Sequence, residues 1–167
     1  RGFRVDNSRK DVLQTMERLA EKSGAYNELA AALEEALGSQ PSSEQQVFFL
    51  QMLAGIYRDK LRRPDLASSS LRRLLEVDPR HLGALTSLEA MCRDAKSFQD
   101  LAWVLSRQAE LTEDLEKKRD LLAQVAQIQE EQLGDLNAAI QAFQQVLASH
   151  PEDIPALAEL FLDRLAA

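Results

Sequence analysis

Apolar residues recur at helical spacing along the whole chain, in short stripes broken by small polar residues, glycine or proline. Over residues 9–22 the stripe is Val12, Leu13, Met16, Leu19 and Ala20, with charged residues on the other faces. Over 25–38 it is Tyr26, Leu29, Leu33 and Leu37, and over 44–61 it is Val47, Leu50, Leu53, Ala54 and Tyr57. A helix opening at Pro64 turns Ala67, Leu71, Leu74 and Leu75 inward and closes at Asp78-Pro79. Similar stripes cover 82–94 (Leu85, Leu88, Cys92), 98–110 (Phe98, Leu101, Leu105, Ala109) and 114–132 (Leu122, Val125, Ala126, Ile128). The last two cover 136–148 (Ala139, Phe143, Val146, Leu147) and 154–165 (Leu157, Leu160, Phe161, Leu165). The pattern predicts nine helices, no strand and short turns. Candidate N-caps are Asn7, Ser8, Thr112 and Asp135, Ser42-Ser43 restarts the pattern, and Ser97 with Asp100 has the spacing of a capping box. Gly38 reads as a helix stop, and Pro41 prevents continuation.

The stripes repeat. The stretch from Leu53 to Leu85 slides onto Val125 to Leu157 by 72 positions without a gap. Leu53, Ala54, Ile56, Ala67, Leu71 and Pro79 meet Val125, Ala126, Ile128, Ala139, Phe143 and Pro151. The same shift lays Leu13, Met16, Ala20, Tyr26, Leu29 and Leu33 on Leu85, Leu88, Cys92, Phe98, Leu101 and Leu105. Matched size and spacing over this length signals an array of repeats, each 72-residue unit holding two helical hairpins. The ends cut the period at arbitrary points, so the expectation is a slice of a longer array.

Composition narrows the classes. Aromatics make up 5% of the chain, and the formal charge is −7. That balance argues against a general nucleic-acid binder, because phosphate contacts need clustered Lys and Arg. One cysteine, Cys92, allows no internal disulfide. No apolar run is long enough to span a membrane, and no signal peptide opens the chain. The expected location is cytoplasmic.

The helix pairs resemble the tetratricopeptide repeat. Its weak pattern of large apolar, small, aromatic and closing proline residues is followed by Leu50, Leu53, Ala54, Tyr57, Ala67, Leu71 and Pro79, with one extra residue between the helices. Leu13, Met16, Ala20, Tyr26, Leu29, Leu33, Ala36 and Pro41 follow it in the first pair. Leu85, Leu88, Cys92, Phe98, Leu101 and Leu105 follow it in the third, and Leu122, Val125, Ala126, Ala139, Phe143, Val146 and Pro151 in the fourth. Glu17, Glu89 and Phe161 depart from it where a small residue is usual, so those contacts should be looser or lean to solvent. The resemblance implies an all-α, right-handed α-solenoid of stacked antiparallel helix pairs. Residues 1–167 then form one domain: about four repeats (about 9–41, 44–79, 82–111 and 114–151) and a terminal helix at 154–165. It implies a protein–protein interaction scaffold or adaptor, and no enzyme. Similar bacterial arrays serve motility, polarity, secretion and cell-envelope systems, with small GTPases and pilus components among their partners. Rival classes are a regulatory or self-association segment of a larger enzyme and an RNA-binding helical repeat; the charge counts against the latter.

The residues carry no catalytic constellation. His81 and His150 sit in turns, no spacing suits a metal, and no glycine-rich loop cradles phosphate. No cofactor is expected. Binding surfaces are the better candidates. The resemblance places Phe48, Gln51, Gly55, Arg58, Thr86, Ala90, Arg93, Ala123, Gln127 and Glu130 along a concave groove. The Lys/Asn clamp that some family members use for carboxylate tails is absent: Gln14 and Arg18, Gln51 and Gly55, Thr86 and Ala90 stand there. On the convex side Trp103 stands where other repeats have Ala31, Ser69 and Gln141, which makes it a candidate anchor. Arg58, Lys60, Arg62, Arg63, Arg72 and Arg73 form a basic cluster, set against Glu113, Asp114, Glu116, Glu130, Glu131 and Asp135. Either this asymmetry supports head-to-tail contact between copies, in a homo-oligomer, or local pairs with Asp59 and Asp65 neutralise the arginines.

Overall fold

Residues 15, 16 and 18–149 are described in a computed structural model of the chain. All regular structure among them is helical. Helical backbone at 15–16 and 18–23 (α1) is followed by Tyr26–Gly38 (α2), Ser43–Gly55 (α3), a π turn at Ile56–Lys60, and Pro64–Val77 (α4). Next come Leu82–Ala95 (α5), Phe98–Leu111 (α6), Leu115–Glu131 (α7) and Leu136–Ser149 (α8). The expected caps Asn7 and Ser8, the positions Gln14 and Glu17, and the helix at 154–165 lie outside the described residues. The chain divides into two compact units, Arg1–Ala84 and Leu85–Ala167.

In the first unit, Ala20 of α1 meets Leu29, Ala30 and Leu33 of α2, and this cluster takes in Leu53 and Ile56. α4 buries Ala67, Leu71, Leu74 and Leu75. In the second unit, Cys92 of α5 joins Leu101, Leu105 and Ala109 of α6, then Leu121, Leu122, Val125 and Ala126 of α7, and Ala142 and Val146 of α8. Within each unit, neighbouring helices thus share apolar stripes. A fully buried leucine contributes about 1.5–3 kcal/mol relative to an exposed one. Most of the predicted stripes lie inside, but Leu19 is 55% exposed. α1 turns Met16 and Ala20 toward α2, and Leu19 falls to the side of that stripe.

The 72-residue period is kept at the level of single backbone bonds. Ser42 caps α3 by accepting from the amide of Gln45, and Asp114 caps α7 by accepting from Lys117. At the other end of α3, the amide of Leu61 reaches back five residues to the carbonyl of Ile56 at 3.0 Å, and that of Arg63 to Tyr57 at 2.7 Å. In the second unit, Leu133 reaches Ile128 at 3.2 Å and Asp135 reaches Gln129 at 2.8 Å. A widened turn of this kind takes up one surplus residue at a helix end, and it accounts for the extra residue in the repeat pattern. The chain then passes through the left-handed region at Arg62 (φ 54) and at Gly134 (φ 67). Gly24 (φ 74) and Lys96 (φ 53) pair in the same way.

Three local signals resolve differently from expectation. Gly38 is the last residue of α2, and the left-handed residue is Gln40 (φ 53); the amides of Ser39 and Gln40 close on the carbonyls of Ala36 and Leu37. The Ser97 hydroxyl makes no cap, because it donates to the Asp100 carboxylate at 2.9 Å. Asp114, not Thr112, caps α7, two residues nearer the helix. His81 gains a role: its Nδ1 accepts from the Ala84 amide at 3.0 Å at the start of α5.

Candidate protein-docking surfaces

Among the described residues no three His, Cys, Asp or Glu side chains form a metal-sized group, and no helix is long and apolar enough to cross a membrane. The surface features worth building from are a pocket and a set of charges.

The pocket lies in the first unit. Tyr26 opens α2, and Lys60 ends the π turn, so its ammonium stands 5.3 Å from the centre of the Tyr26 ring. Between them, Gln51, Met52, Gly55, Ile56 and Asp59 complete a depression of about 170 Å³. Gly55 leaves open space on this wall; a Cβ placed there would meet nothing within 4 Å. Its floor is apolar, through Met52 and Ile56, and its rim carries an amide, a carboxylate and an ammonium. The side-chain hydrogen bond to Tyr26 raises the Lys60 pKa above its ordinary value. Two expected groove residues, Gln51 and Gly55, lie four positions apart on α3 and share a wall of this pocket, with Phe48 three residues before Gln51 on the same helix. Phe48 is half-buried, edge-on to Phe49 at 6.1 Å.

The other predicted residues are distributed as follows. Arg58 is exposed, gripped by Asp59 through Nε at 2.8 Å and Nη2 at 3.0 Å. That bond holds the Asp59 carboxyl below its ordinary range. Arg63 holds Asp65 in the same manner. The local-pair reading thus describes these two arginines. Arg73 reaches from α4 to both oxygens of Glu34 on α2, each at 2.9 Å, and so stitches the two hairpins of the first unit. Nearby, burial is the first cause that raises the Tyr57 pKa, with Glu34 adding to it. Arg72 is half-buried, and Thr86 is exposed on α5. Trp103 is 43% exposed on α6.

In the second unit Arg93 donates to Glu89 at 2.9 Å and to Gln124 of α7 at 2.8 Å. Glu89 also accepts from the buried Gln108 amide at 2.9 Å. Glu89 stands where the repeat pattern prefers a small residue. Instead of leaning out, it ties α5 to α6 and, through Arg93, to α7. Gln127 is exposed and donates to both oxygens of Glu131.

Sequence reasoning missed the pocket as a unit, the Glu89 network and one exposed apolar group. Leu136, at the first position of α8, is 62% exposed, with Ile140 one turn on at 37% and Leu133 before it at 37%. The signal was present in the repeat itself: the positions 72 earlier than Leu136 and Ile140 are Pro64 and Ser68.

The tetratricopeptide repeat family model matches residues 120–153, a stretch that holds most of α7 and all of α8. No curated protein matches the chain. Among solved structures, the crystal structure of MamA matches at 20% identity and a TM-score of 0.47, covering 79% of this chain and 72% of that one.

Proposed function

We propose that this chain, which carries a tetratricopeptide repeat, is a protein–protein interaction scaffold that recruits its partner through side chains displayed on the helical hairpins. One observation carries the reading. Hairpins 72 residues apart keep the same caps, turn and core, yet their outward residues differ in size and sign of charge. A fold that needs the scaffold and leaves the display free to vary suits recognition; fold alone does not assign function. The docking residues on this reading are Phe48, Gln51 and Arg58 on α3 and its π turn, Thr86 and Arg93 on α5, and Gln127 on α7. The alternative docking residues are Trp103 in the second unit and Arg72 and Arg73 in the first. Arg73 and Arg93 each have an intramolecular partner, so a docking protein must compete with Glu34 or Glu89 for them. In a bacterial setting the systems that fit are motility, polarity and secretion, with a small GTPase or a cell-envelope component as partner.

The test is affinity capture from the source-cell lysate with the 167-residue chain as bait, beside Gln51→Ala/Arg58→Glu and Trp103→Ala. A protein retained by the parent and lost with one variant supports the reading and locates the face. Retention that neither variant changes overturns the site assignment. Recovery of nucleic acid alone overturns the scaffold reading.

A further inference from the structure

The two equivalent turns carry opposite charges on the same backbone. From Arg58 to Arg73 there are six basic and two acidic residues; from Glu130 to Gln145, the same positions 72 later, there are three acidic and no basic ones. The imbalance extends to whole units. Residues 1–84 hold 13 Lys and Arg against 12 Asp and Glu, and residues 85–167 hold 7 against 15, which gives +1 and −8.

The turns also differ in relief. At the basic turn Gly55 leaves open space on the wall of the pocket between Tyr26, Met52 and Ile56, with Lys60 on its rim. At the acidic turn the equivalent residue is Gln127, whose amide is engaged by Glu131. There the apolar groups stand out instead: Leu136 and Ile140 lie one helical turn apart and expose 62% and 37% of their surface. One turn thus offers an apolar-floored hollow with Lys60 on its rim and Arg62 close by in the chain. The other offers an aliphatic knob flanked by Glu130, Glu131 and Asp135.

We propose that the basic turn of one copy of this chain receives the acidic turn of a second copy, with Leu136 entering the Tyr26–Gly55–Ile56 pocket and Lys60 and Arg62 facing Glu130 and Glu131. This deepens the scaffold reading by naming a second copy as the partner of the Gln51–Arg58 face, and it rests on that reading. The pocket suits a branched aliphatic side chain: its floor is apolar, and its one strongly placed cation sits at the mouth, where it meets a flanking carboxylate without being desolvated. The two contacting patches are different, so the contact is heterologous. A docked pair still has one basic turn and one acidic turn unfilled, so further copies can add.

The experiment is sedimentation velocity on the 167-residue chain across a wide concentration range, at low and at high salt. The expected result is a mass that rises above the monomer with concentration and falls back as salt screens the turns. K60E/R62E and E130K/E131K should each weaken self-association on the order of tenfold or more, while their equimolar mixture regains it. Two further variants probe the knob and the hollow. Leu136→Ala removes an exposed side chain, and Gly55→Leu fills the pocket while replacing a helical glycine, so its thermal unfolding should stay at or above that of the parent. Both should lose association. A parent that stays monomeric throughout, or charge reversals that associate as the parent does, overturns self-recognition; capture of a different protein in the lysate experiment would then still support a scaffold. Loss on charge reversal with none for Gly55→Leu and Leu136→Ala overturns the pocket assignment.

Discussion

Arg62 and Gly134 stand at the same point of the same turn, after helices that end with the same five-residue backbone bond. Glycine takes a left-handed conformation freely, whereas a residue with a Cβ loses about 1 kcal/mol or more there. The α3–α4 hairpin accepts that loss and gains a cation on its rim; the α7–α8 hairpin avoids it and gains nothing on its surface. The interiors show no such divergence. Leu50, Leu53, Ala54, Ala67 and Leu74 are all buried, and so are Leu122, Val125, Ala126, Ala139 and Val146. What the comparison teaches is where the repeat holds its identity: in the backbone bonds and the volume of the stripe, with the rim left open to change.

The largest effect should come from the stripe. Leu53→Ala opens a cavity under the first unit's core and should lower stability by about 2–5 kcal/mol. Repeat arrays couple mainly to nearest neighbours. Amide exchange should therefore speed most in α2, α3 and α4 and least in α8; equal acceleration everywhere would mean that the interiors of the two hairpins are not independent. The next effect tests a feature of the second unit. Glu89→Ala leaves the Gln108 amide buried without its acceptor, and chemical denaturation should register a loss of about 1–3 kcal/mol. The position 72 before Gln108 is Ala36, which has no polar group to strand.

Third comes the turn. Gly134→Ala should cost about 1 kcal/mol through backbone strain alone, because its added methyl meets no atom. Arg62→Gly should recover a similar amount, less the entropy that glycine adds to the unfolded chain. For a chain of this size, 1 kcal/mol moves Tm by about 2–4 °C, so calorimetry on the pair resolves the sign. If the two changes shift Tm in the same direction, the turns are not equivalent. Smaller still is Arg73→Gln, which copies the residue at 145. The Arg73–Glu34 pair is about two-fifths exposed on each side, and its removal should cost below about 1 kcal/mol, shrinking further in salt.

The smallest effect is with pH. Asp59 and Asp65 have native pKa values held below the ordinary carboxylate range by Arg58 and Arg63. The folded value is the lower one, so any stabilisation is fully present above about pH 4 and is lost as pH falls through the native value. Because both pairs lie in solvent, Asp59→Asn/Asp65→Asn should leave neutral-pH stability nearly unchanged and flatten only the acid limb.

The fold was legible to the degree that it depends on apolar spacing. Leu29, Leu33, Leu53, Leu74, Leu88 and Leu105 all lie inside as their stripes require. The shift of 72 identified equivalent residues whose caps and turns then proved equivalent in geometry. Signals that depend on one polar side chain were less legible. Ser97 had two oxygens to choose between, the backbone amides and Asp100, and spacing does not rank them. Thr112 and Asp114 compete for the same helix end, and the shorter reach to the first turn decides. Gly38 has the right composition for a stop, but the turn closes two residues later at Gln40. The candidate site was legible only in part. Gln51 and Gly55 follow from one helix face, whereas the pocket also needs Tyr26 from α2 and Lys60 from a π turn that no periodicity announces. The Glu89 bonds were hidden because a charged residue at a small position reads as a defect until Gln108 is seen opposite it.

The division of the chain has an optical consequence. Both tyrosines, Tyr26 and Tyr57, belong to the first unit, and the one tryptophan, Trp103, to the second. The one thiol, Cys92, is buried in the second unit as well. Each half of the molecule therefore carries its own chromophore. Tryptophan emission and the rate at which a reagent reaches the thiol follow the opening of one half, and tyrosine absorbance follows the other. A single melt read at both wavelengths, without any label, will distinguish a molecule that opens as one body from one that opens in halves.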